Sequence, residues 1–345
     1  MNLYTSDGWL DVPHINEIAD RNDINFIVII GKRQVGKTYN VLKFMLDEDK
    51  RFIFMRRTST ELDMLEHGVN SPFEKIYHNE IAFNKESKYT AEISRFVTEN
   101  GEDTKKRIGM GCALSTLGNI RGFNGDEYSD WVFDEFIPET QLFKVRNERD
   151  AFLNAHVTIN GNRELEGRRC VRVWLLANSN NLDSGVLEAI NISREVERMS
   201  LRGEESRLLK DRGILILMPE SKAIIEKRLK TGLARAIDKT SPFARMAFGN
   251  EFAYNDYTDV RSDLIQAYYP LVTIGNITIN LHKCDKRLYV TDKLKARARR
   301  EYPLTEAGVR KFNVEYSDVR SAYLQGRVIF NNQKVKSEFL HIVKA

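Results

Sequence analysis

Residues 25–38 read Asn25-Phe26-Ile27-Val28-Ile29-Ile30-Gly31-Lys32-Arg33-Gln34-Val35-Gly36-Lys37-Thr38, and they restrict the fold more than any other stretch. Five consecutive apolar residues, four of them β-branched, predict a strand buried on both faces, as in parallel sheets. The strand runs straight into G-x-x-x-x-G-K-[ST], the glycine-rich pattern that cradles phosphates. From Tyr39 to Leu46 the apolar residues recur at helical spacing. Strand, loop and helix in that order are the context the pattern requires.

The residue types follow from the chemistry. Gly31 and Gly36 let the backbone turn tightly and point its N–H groups inward. A helix starting near Gly36 adds the positive end of its dipole, which suits a polyphosphate. Lys37 is expected to bridge the β- and γ-phosphates, and the Thr38 hydroxyl to hold Mg²⁺. The residues read as ATP-binding are therefore Gly31, Lys32, Arg33, Gln34, Val35, Gly36, Lys37, Thr38 and Tyr39.

A second constellation completes the first. Trp131-Val132-Phe133-Asp134-Glu135-Phe136 is a short apolar strand carrying two carboxylates near its end. Asp134 is placed to order Mg²⁺ and Glu135 to activate the attacking water as general base. Side chains alternate along a strand, so the strand end must twist to aim both at the phosphates. Asn178, closing the apolar strand Arg172–Ala177, is expected to face the γ-phosphate and respond to hydrolysis; it reads equally well as a helix N-cap. Transition-state charge calls for an arginine, for which Arg121 and Arg163 are candidates beside the alternative of ordinary surface arginines. A glutamate directly after the aspartate suits water as nucleophile. The series Arg194, Arg198, Arg202 and Arg207 leaves a kinase-type lid open.

Strands alternating with helices after the glycine loop predict an α/β fold with a parallel sheet covered on both faces. Further strands are expected at Arg51–Arg56, Arg172–Ala177 and Ile214–Met218, with a helix after Thr58 or Ser59 and another from Arg149 to Val157. Ala91–Val97 and Lys105–Ile108 read as a charged-tipped β-hairpin inserted into the domain. At 345 residues two domains fit. We divide them as an ATPase domain over 1–192, a helical linker or lid over 193–230, dense in both charge signs, and a smaller α+β domain over 231–345. The alternative for 193–230 is a solvated helical face of the first domain. In the last domain Ile277–Asn280 and Lys286–Thr291 form a strand pair, with helices near Leu304–Arg310 and Ser317–Gln325.

Composition narrows partners and surroundings. Hydrophobic residues make up 42% and charged residues 30%, as in soluble globular chains. No apolar run approaches a membrane span, and residues 1–10 lack the basic and apolar regions of a secretion signal. Three distant cysteines suit a reducing cytoplasm and core packing, and six scattered histidines show no metal-ligand spacing. Residues 284–345 carry fourteen Lys and Arg against seven Asp and Glu; this +7 leaves the rest of the chain at −3 of the total +4. A basic terminal segment on a slightly acidic body suggests a polyanionic partner, though a solvated basic face is the common alternative.

With these residues assembled, the chain resembles the DNA-packaging ATPases of small podoviruses, the Picovirinae-type tailed bacteriophages. The resemblance rests on the arginine-ended strand Phe52–Arg57, on Phe133-Asp134-Glu135-Phe136-Ile137, on Asn162-Arg163-Glu164 ahead of the strand ending in Asn178, and on Ala322–Gln333. It implies a P-loop ATPase domain followed by an RNase H-like domain without nuclease activity. It also implies a homo-oligomeric ring of five subunits at the portal of an empty capsid in the host cytoplasm, hydrolysing ATP with Mg²⁺ to drive double-stranded DNA inward. Some members contact a structural RNA. The family's positive residue before the Asp-Glu strand falls at Arg121; a second family arginine falls near Gly161, where Arg163 stands two residues away. Asn280, Asp285 and Asp292 offer no converging acids for a two-metal nuclease, unlike the larger terminases. A packaging motor must ignore sequence and grip phosphates. The candidates are Arg56, Arg57, Lys105, Lys106 and Arg107, each of which also reads as solvated charge. Alternatives of other classes are another P-loop translocase or helicase, and a nucleic-acid-binding assembly protein switched by ATP.

Overall fold

The computed structural model describes residues 2–31, 35–66, 71–99, 102–119, 125–138, 145, 147–178, 184–236, 259–261, 263–293 and 298–344. The chain divides into two compact units, Met1–Tyr254 and Asn255–Ala345.

The first unit is built on a mixed sheet. Its elements are α1 (Val12–Arg21), β1 (Phe26–Gly31), α2 (Lys37–Asp47), β2 (Phe52–Arg56), α3 (Ser59–Asp63), β3 (Ile81–Lys85), β4 (Thr90–Glu99), β5 (Glu102–Ala113), β6 (Asp130–Asp134), α4 (Glu148–Asn160), β7 (Arg172–Asn178), α5 (Gly185–Ala189), α6 (Ser193–Arg202), β8 (Ser206–Leu209), β9 (Ile214–Leu217), α7 (Lys222–Leu229) and α8 (Gly232–Ala236). The strands lie in the order β3-β4-β5-β2-β6-β7-β1-β9-β8. From β5 to β9 every pairing is parallel, and both ends are closed by antiparallel strands. The apolar run of β1 explains its central place: Ile27 to Ile30 are wholly buried. Both faces are covered, Val41, Leu42 and Met45 of α2 packing on one and Phe152 of α4 stacking 5.2 Å from Trp131 on the other.

Two expectations change here. The hairpin is not an insertion: β4 and β5 extend the sheet, because β5 pairs in parallel with β2 from Phe52↔Gly109 to Arg56↔Ala113. Residues 193–230 are not a helical linker alone. After the charged helix α6 come β8 and β9, and β9 pairs with β1 from Phe26↔Ile214 to Ile29↔Leu217. The buried Ile214–Leu217 run outweighs the surrounding charge, so the first unit runs on beyond 192. Thr58, rather than Ser59, caps α3 in a reciprocal capping box with Glu61.

The second unit holds a five-stranded sheet ordered β13-β10-β11-β12-β14. Its strands are β10 (Tyr268–Ile274), β11 (Ile277–His282), β12 (Leu288–Thr291), β13 (Glu301–Tyr302) and β14 (Val328–Phe330), and its helices are α9 (Glu306–Glu315), α10 (Ser317–Leu324) and α11 (Gln333–Lys344). The expected strand pair is the antiparallel β11–β12 ladder. Phe312, Val319, Phe330 and Phe339 fill its core. Among the described residues no helix is long and apolar enough to cross a membrane. Burial pushes the Cys112 thiol up to about 12 and Cys170 up to about 11, so both act as core residues, whereas Cys284 is exposed.

Arg57, expected to touch DNA, is instead a core ion. It is 1% exposed, and its guanidinium meets Glu148 Oε1 at 2.8 and 2.9 Å. Glu148 Oε2 in turn accepts from the Gly185 N–H at 3.2 Å, so one buried pair ties the end of β2 to α4 and α5. Arg57→Ala strands that carboxylate and is expected to lower stability by about 3–5 kcal/mol in urea unfolding, while Arg57→Leu combined with Glu148→Leu loses less. Equal losses would show that the pair's charge is immaterial.

His156 gives a pH effect. Burial holds its pKa below the ordinary value, between Phe26 and Trp131 at centroid distances of 5.2 and 6.5 Å. The unfolded chain therefore takes up a proton more readily than the folded one, and stability falls as pH drops below about 6.5. His156→Phe is expected to flatten that fall in Tm measured between pH 7.5 and 5.5; an unchanged slope would assign it elsewhere.

Candidate active site

Three parallel strands bring the site together at their C-terminal ends. β7 lies between β1 and β6, with Gly31 opposite Asn178 and Asp134 opposite Leu176. The glycine loop leaves β1, Asn178 ends β7, and the two acids end β6, so residues more than a hundred positions apart finish level. This is where open α/β sheets place ligands.

α2 begins directly at the motif. Gly36 is its N-cap with φ +81°, in the left-handed region where glycine carries no steric penalty. A Cβ there would stand 2.7 Å from Asn40 Nδ2. Lys37 is 7% exposed, and its ammonium donates to the Gly31 carbonyl and to Asn178 Oδ1, both at 3.1 Å. The Asn178 side chain therefore orients the lysine, and the next helix, α5, is capped by Ser184 instead. Thr38 Oγ1 donates to Asp134 Oδ1 at 2.8 Å. That hydroxyl and carboxylate converge as hard oxygen donors, the set a Mg²⁺ ion uses together with water and phosphate oxygens. Val35 is buried and Tyr39 exposed; Lys32, Arg33 and Gln34 lie outside the described residues.

The aiming problem at the strand end is solved in the backbone. β6 stops at Asp134, and Glu135 adopts φ +56°, a conformation rare for a non-glycine residue. Its carboxylate, unlike that of buried Asp134, is half exposed. Both acids are held by one cation: Arg56 Nη2 lies 3.0 Å from Asp134 Oδ2 and Nη1 lies 2.7 Å from Glu135 Oε2. Burial alone would lower the Arg56 pKa, but the two carboxylates hold it above the ordinary guanidinium value. Arg56 was expected on DNA. It belongs to the site instead, because β2 neighbours β6 in the sheet with Met55 opposite Phe133. Its guanidinium also sits 5.7 Å from the Phe54 ring.

Other expected residues do not join. Arg163 is buried, and its Nη2 donates to the carbonyls of Gly125, Asp126 and Tyr128 at 3.0, 2.8 and 2.5 Å. It clamps the chain leading into β6, so it is not an arginine presented to phosphate. Arg121 lies outside the described residues. On the hairpin, Lys106 pairs with Asp49 at 2.7 Å and Arg107 with Glu86 at 2.9 Å, while Lys105 stands 5.1 Å from the Phe96 ring. The three do not form a common basic patch with Arg56 and Arg57.

The fold and site define an α/β protein built on a large, mostly parallel sheet, with a glycine-rich loop after β1 and two acids at the end of β6. The family model of the podovirus DNA encapsidation protein (Gp16) matches residues 14–344, and the chain belongs to that family. A DNA packaging protein of Bacillus phage B103 is 24% identical over 331 residues, covering 91% of this chain and 94% of that protein. Two solved structures share the fold over 99% of this chain. The bacteriophage Phi-29 viral genome packaging motor assembly aligns with TM-score 0.65 and 21% identity over 100% of that chain. The Phi-28 gp11 DNA packaging motor aligns with TM-score 0.59 and 17% identity over 99% of that chain.

Lysine lacks the planar guanidinium with which Arg56 holds the Asp134 carboxylate. Arg56→Lys is expected to cut ATP turnover at least about tenfold while nucleotide affinity stays within about threefold. Unchanged steady-state turnover would make Arg56 a spectator.

Proposed function

We propose that this chain is an ATP-driven motor that hydrolyses ATP to translocate double-stranded viral DNA into an empty phage capsid. The observation that carries the chemistry is the convergence of Lys37, Thr38, Asp134, Glu135 and Asn178 at the ends of β1, β6 and β7. Family membership supports the biological setting. Gly31, Gly36, Lys37 and Thr38 bind the triphosphate, and Tyr39 flanks it on the first turn of α2. Mg²⁺, when bound by Thr38 and Asp134, supplies charge neutralisation on the phosphates. Asn178 keeps the Lys37 ammonium at the phosphate end of its reach.

Glu135 is the general base, and its grip on Arg56 sets a condition for that role. A general base has to lie within hydrogen-bond reach of the water it deprotonates, and here the carboxylate is turned to Arg56. Turnover therefore requires Glu135 to leave Arg56 and face the attacking water, while Arg56 keeps Asp134. The arginine that meets transition-state charge falls to Arg121 or to a neighbouring subunit, since Arg163 is engaged with backbone carbonyls.

In the same reading the protein forms a homo-oligomeric ring, of five subunits, docked on the capsid portal in the host cytoplasm. A structural RNA is a further partner that the family resemblance implies. The second unit is assigned as RNase H-like without nuclease chemistry. Asn280 stands buried on β11, donating to the Thr278 and Tyr289 carbonyls, Asp285 is paired with Arg287, and Asp292 accepts from Asn331.

Steady-state hydrolysis with and without duplex DNA, for wild type and Glu135→Gln, tests the motor. Turnover that rises with DNA and falls at least about a hundredfold in the variant, with ATP still bound, is expected. Equal turnover in both proteins would remove Glu135 as base. Turnover indifferent to DNA, with the nucleotide only altering nucleic-acid binding, would favour an ATP-switched assembly protein.

A further inference from the structure

The chain has three tryptophans, of which Trp131 and Trp174 are wholly buried in the sheet, while Trp9 is 39% exposed. An exposed indole on a loose terminus would need no explanation, but Trp9 is fixed. The backbone of Thr5 donates to the Trp9 carbonyl at 2.8 Å and the Trp9 N–H to Thr5 Oγ1 at 3.2 Å. Leu3 and Leu10 on either side are buried, and Tyr4 Oη donates to Glu205 at 2.6 Å. Gly8 takes φ +85° against Ser221 and Ala223, where a Cβ would stand under 3.0 Å from both side chains. The turn is therefore built, and it fixes the backbone that carries the indole.

That place is the start of α2. Trp9 Cε3 lies 3.1 Å from where a Cβ on Gly36 would stand, beside Asn40, whose buried Nδ2 has no hydrogen-bond partner among the described residues. Tyr39, on the same first turn, is 42% exposed. With phosphates at the N-terminus of α2, this turn is the surface beside them on which the sugar and base of a nucleotide can lie. A partly exposed aromatic ring on an anchored turn stands there, and bases stack on such rings without regard to their hydrogen-bonding edges.

We propose that Trp9 is a wall of the nucleobase subsite, stacking against the base of the bound nucleoside triphosphate. The proposal rests on the reading of Gly31–Thr38 as the triphosphate site. It assigns Trp9 a binding role, with no part in bond breaking. Because stacking is indifferent to edge chemistry, the subsite confers affinity for a base rather than strong selection of adenine over guanine.

The test compares MgATP with magnesium tripolyphosphate, which fills the phosphate loop but has no base. Equilibrium binding is measured for wild type, Trp9→Ala and Trp9→Phe, with acrylamide quenching of tryptophan fluorescence in the wild type. Trp9→Ala is expected to weaken MgATP about tenfold, Trp9→Phe to recover most of that loss, and tripolyphosphate affinity to stay within twofold in all three. MgATP, but not tripolyphosphate, is expected to shield the wild-type fluorescence from acrylamide. Unchanged MgATP affinity in Trp9→Ala would overturn the proposal. So would an equal loss for both ligands, which would make Trp9 a prop for the glycine loop. A wild type that binds neither ligand would overturn the triphosphate reading itself, and Trp9's role with it.

Discussion

The register of β7 between β1 and β6 is the constraint on which the rest depends. A shift of one residue along that ladder would invert every side chain of β7 and turn Asn178 away from Lys37. Register is fixed here by burial on both faces. Val173 to Leu176 are inaccessible to solvent, and Trp174 Nε1 donates to buried Asp130 at 2.9 Å, a cross-strand tie that tolerates no slippage. Arg172 adds a second tie at the start of β7, donating to Asn16 and Asp20 of α1 at 2.6 and 2.8 Å. The geometry at one end of the strands is thus set by polar contacts at the other.

Charge placement in the first unit follows a related logic. Two of its arginines, one buried and one largely covered, sit side by side in sequence and do different work. Arg57 faces Glu148 and joins elements, whereas Arg56 faces Asp134 and Glu135 and joins chemistry. Alternation along an extended strand end sends neighbours to opposite sides of the sheet, so one dipeptide can serve both. Glu135 is the half-exposed member of its cluster and sits in a strained backbone conformation. Of the three charged groups, it has the least burial to hold it in place.

Much of this was legible in the sequence. The strand, loop and helix around Gly31–Thr38, the acids at the end of β6 and the polar end of β7 are local signals, and the sheet only had to align their ends. The rest depended on long-range pairing. Nothing in the neighbourhood of Arg56 and Arg57 says that β2 lies against β6 or that Glu148, ninety-one positions on, will neutralise Arg57. Solvated basic residues and buried ones look alike until their partners are placed. Arg163 misled in the same way: the need for transition-state charge and the family arginine near Gly161 made it a candidate, but its guanidinium is taken up by the carbonyls of Gly125, Asp126 and Tyr128. The apolar strand at Ile214–Leu217 was legible as a strand, but not its parallel pairing with β1, which carries 193–230 into the first unit. Trp9 carried no motif at all, and only its position on the folded chain marks it.

The central claim is that the strand ends form a magnesium-dependent triphosphate site. Titration calorimetry of ATP into wild type, Lys37→Ala and Asp134→Asn, each with and without Mg²⁺, addresses it directly. The account predicts binding that Mg²⁺ strengthens in the wild type, a Mg²⁺ effect that disappears in Asp134→Asn, and at least a tenfold loss in Lys37→Ala under both conditions. ATP binding that neither substitution alters would contradict it.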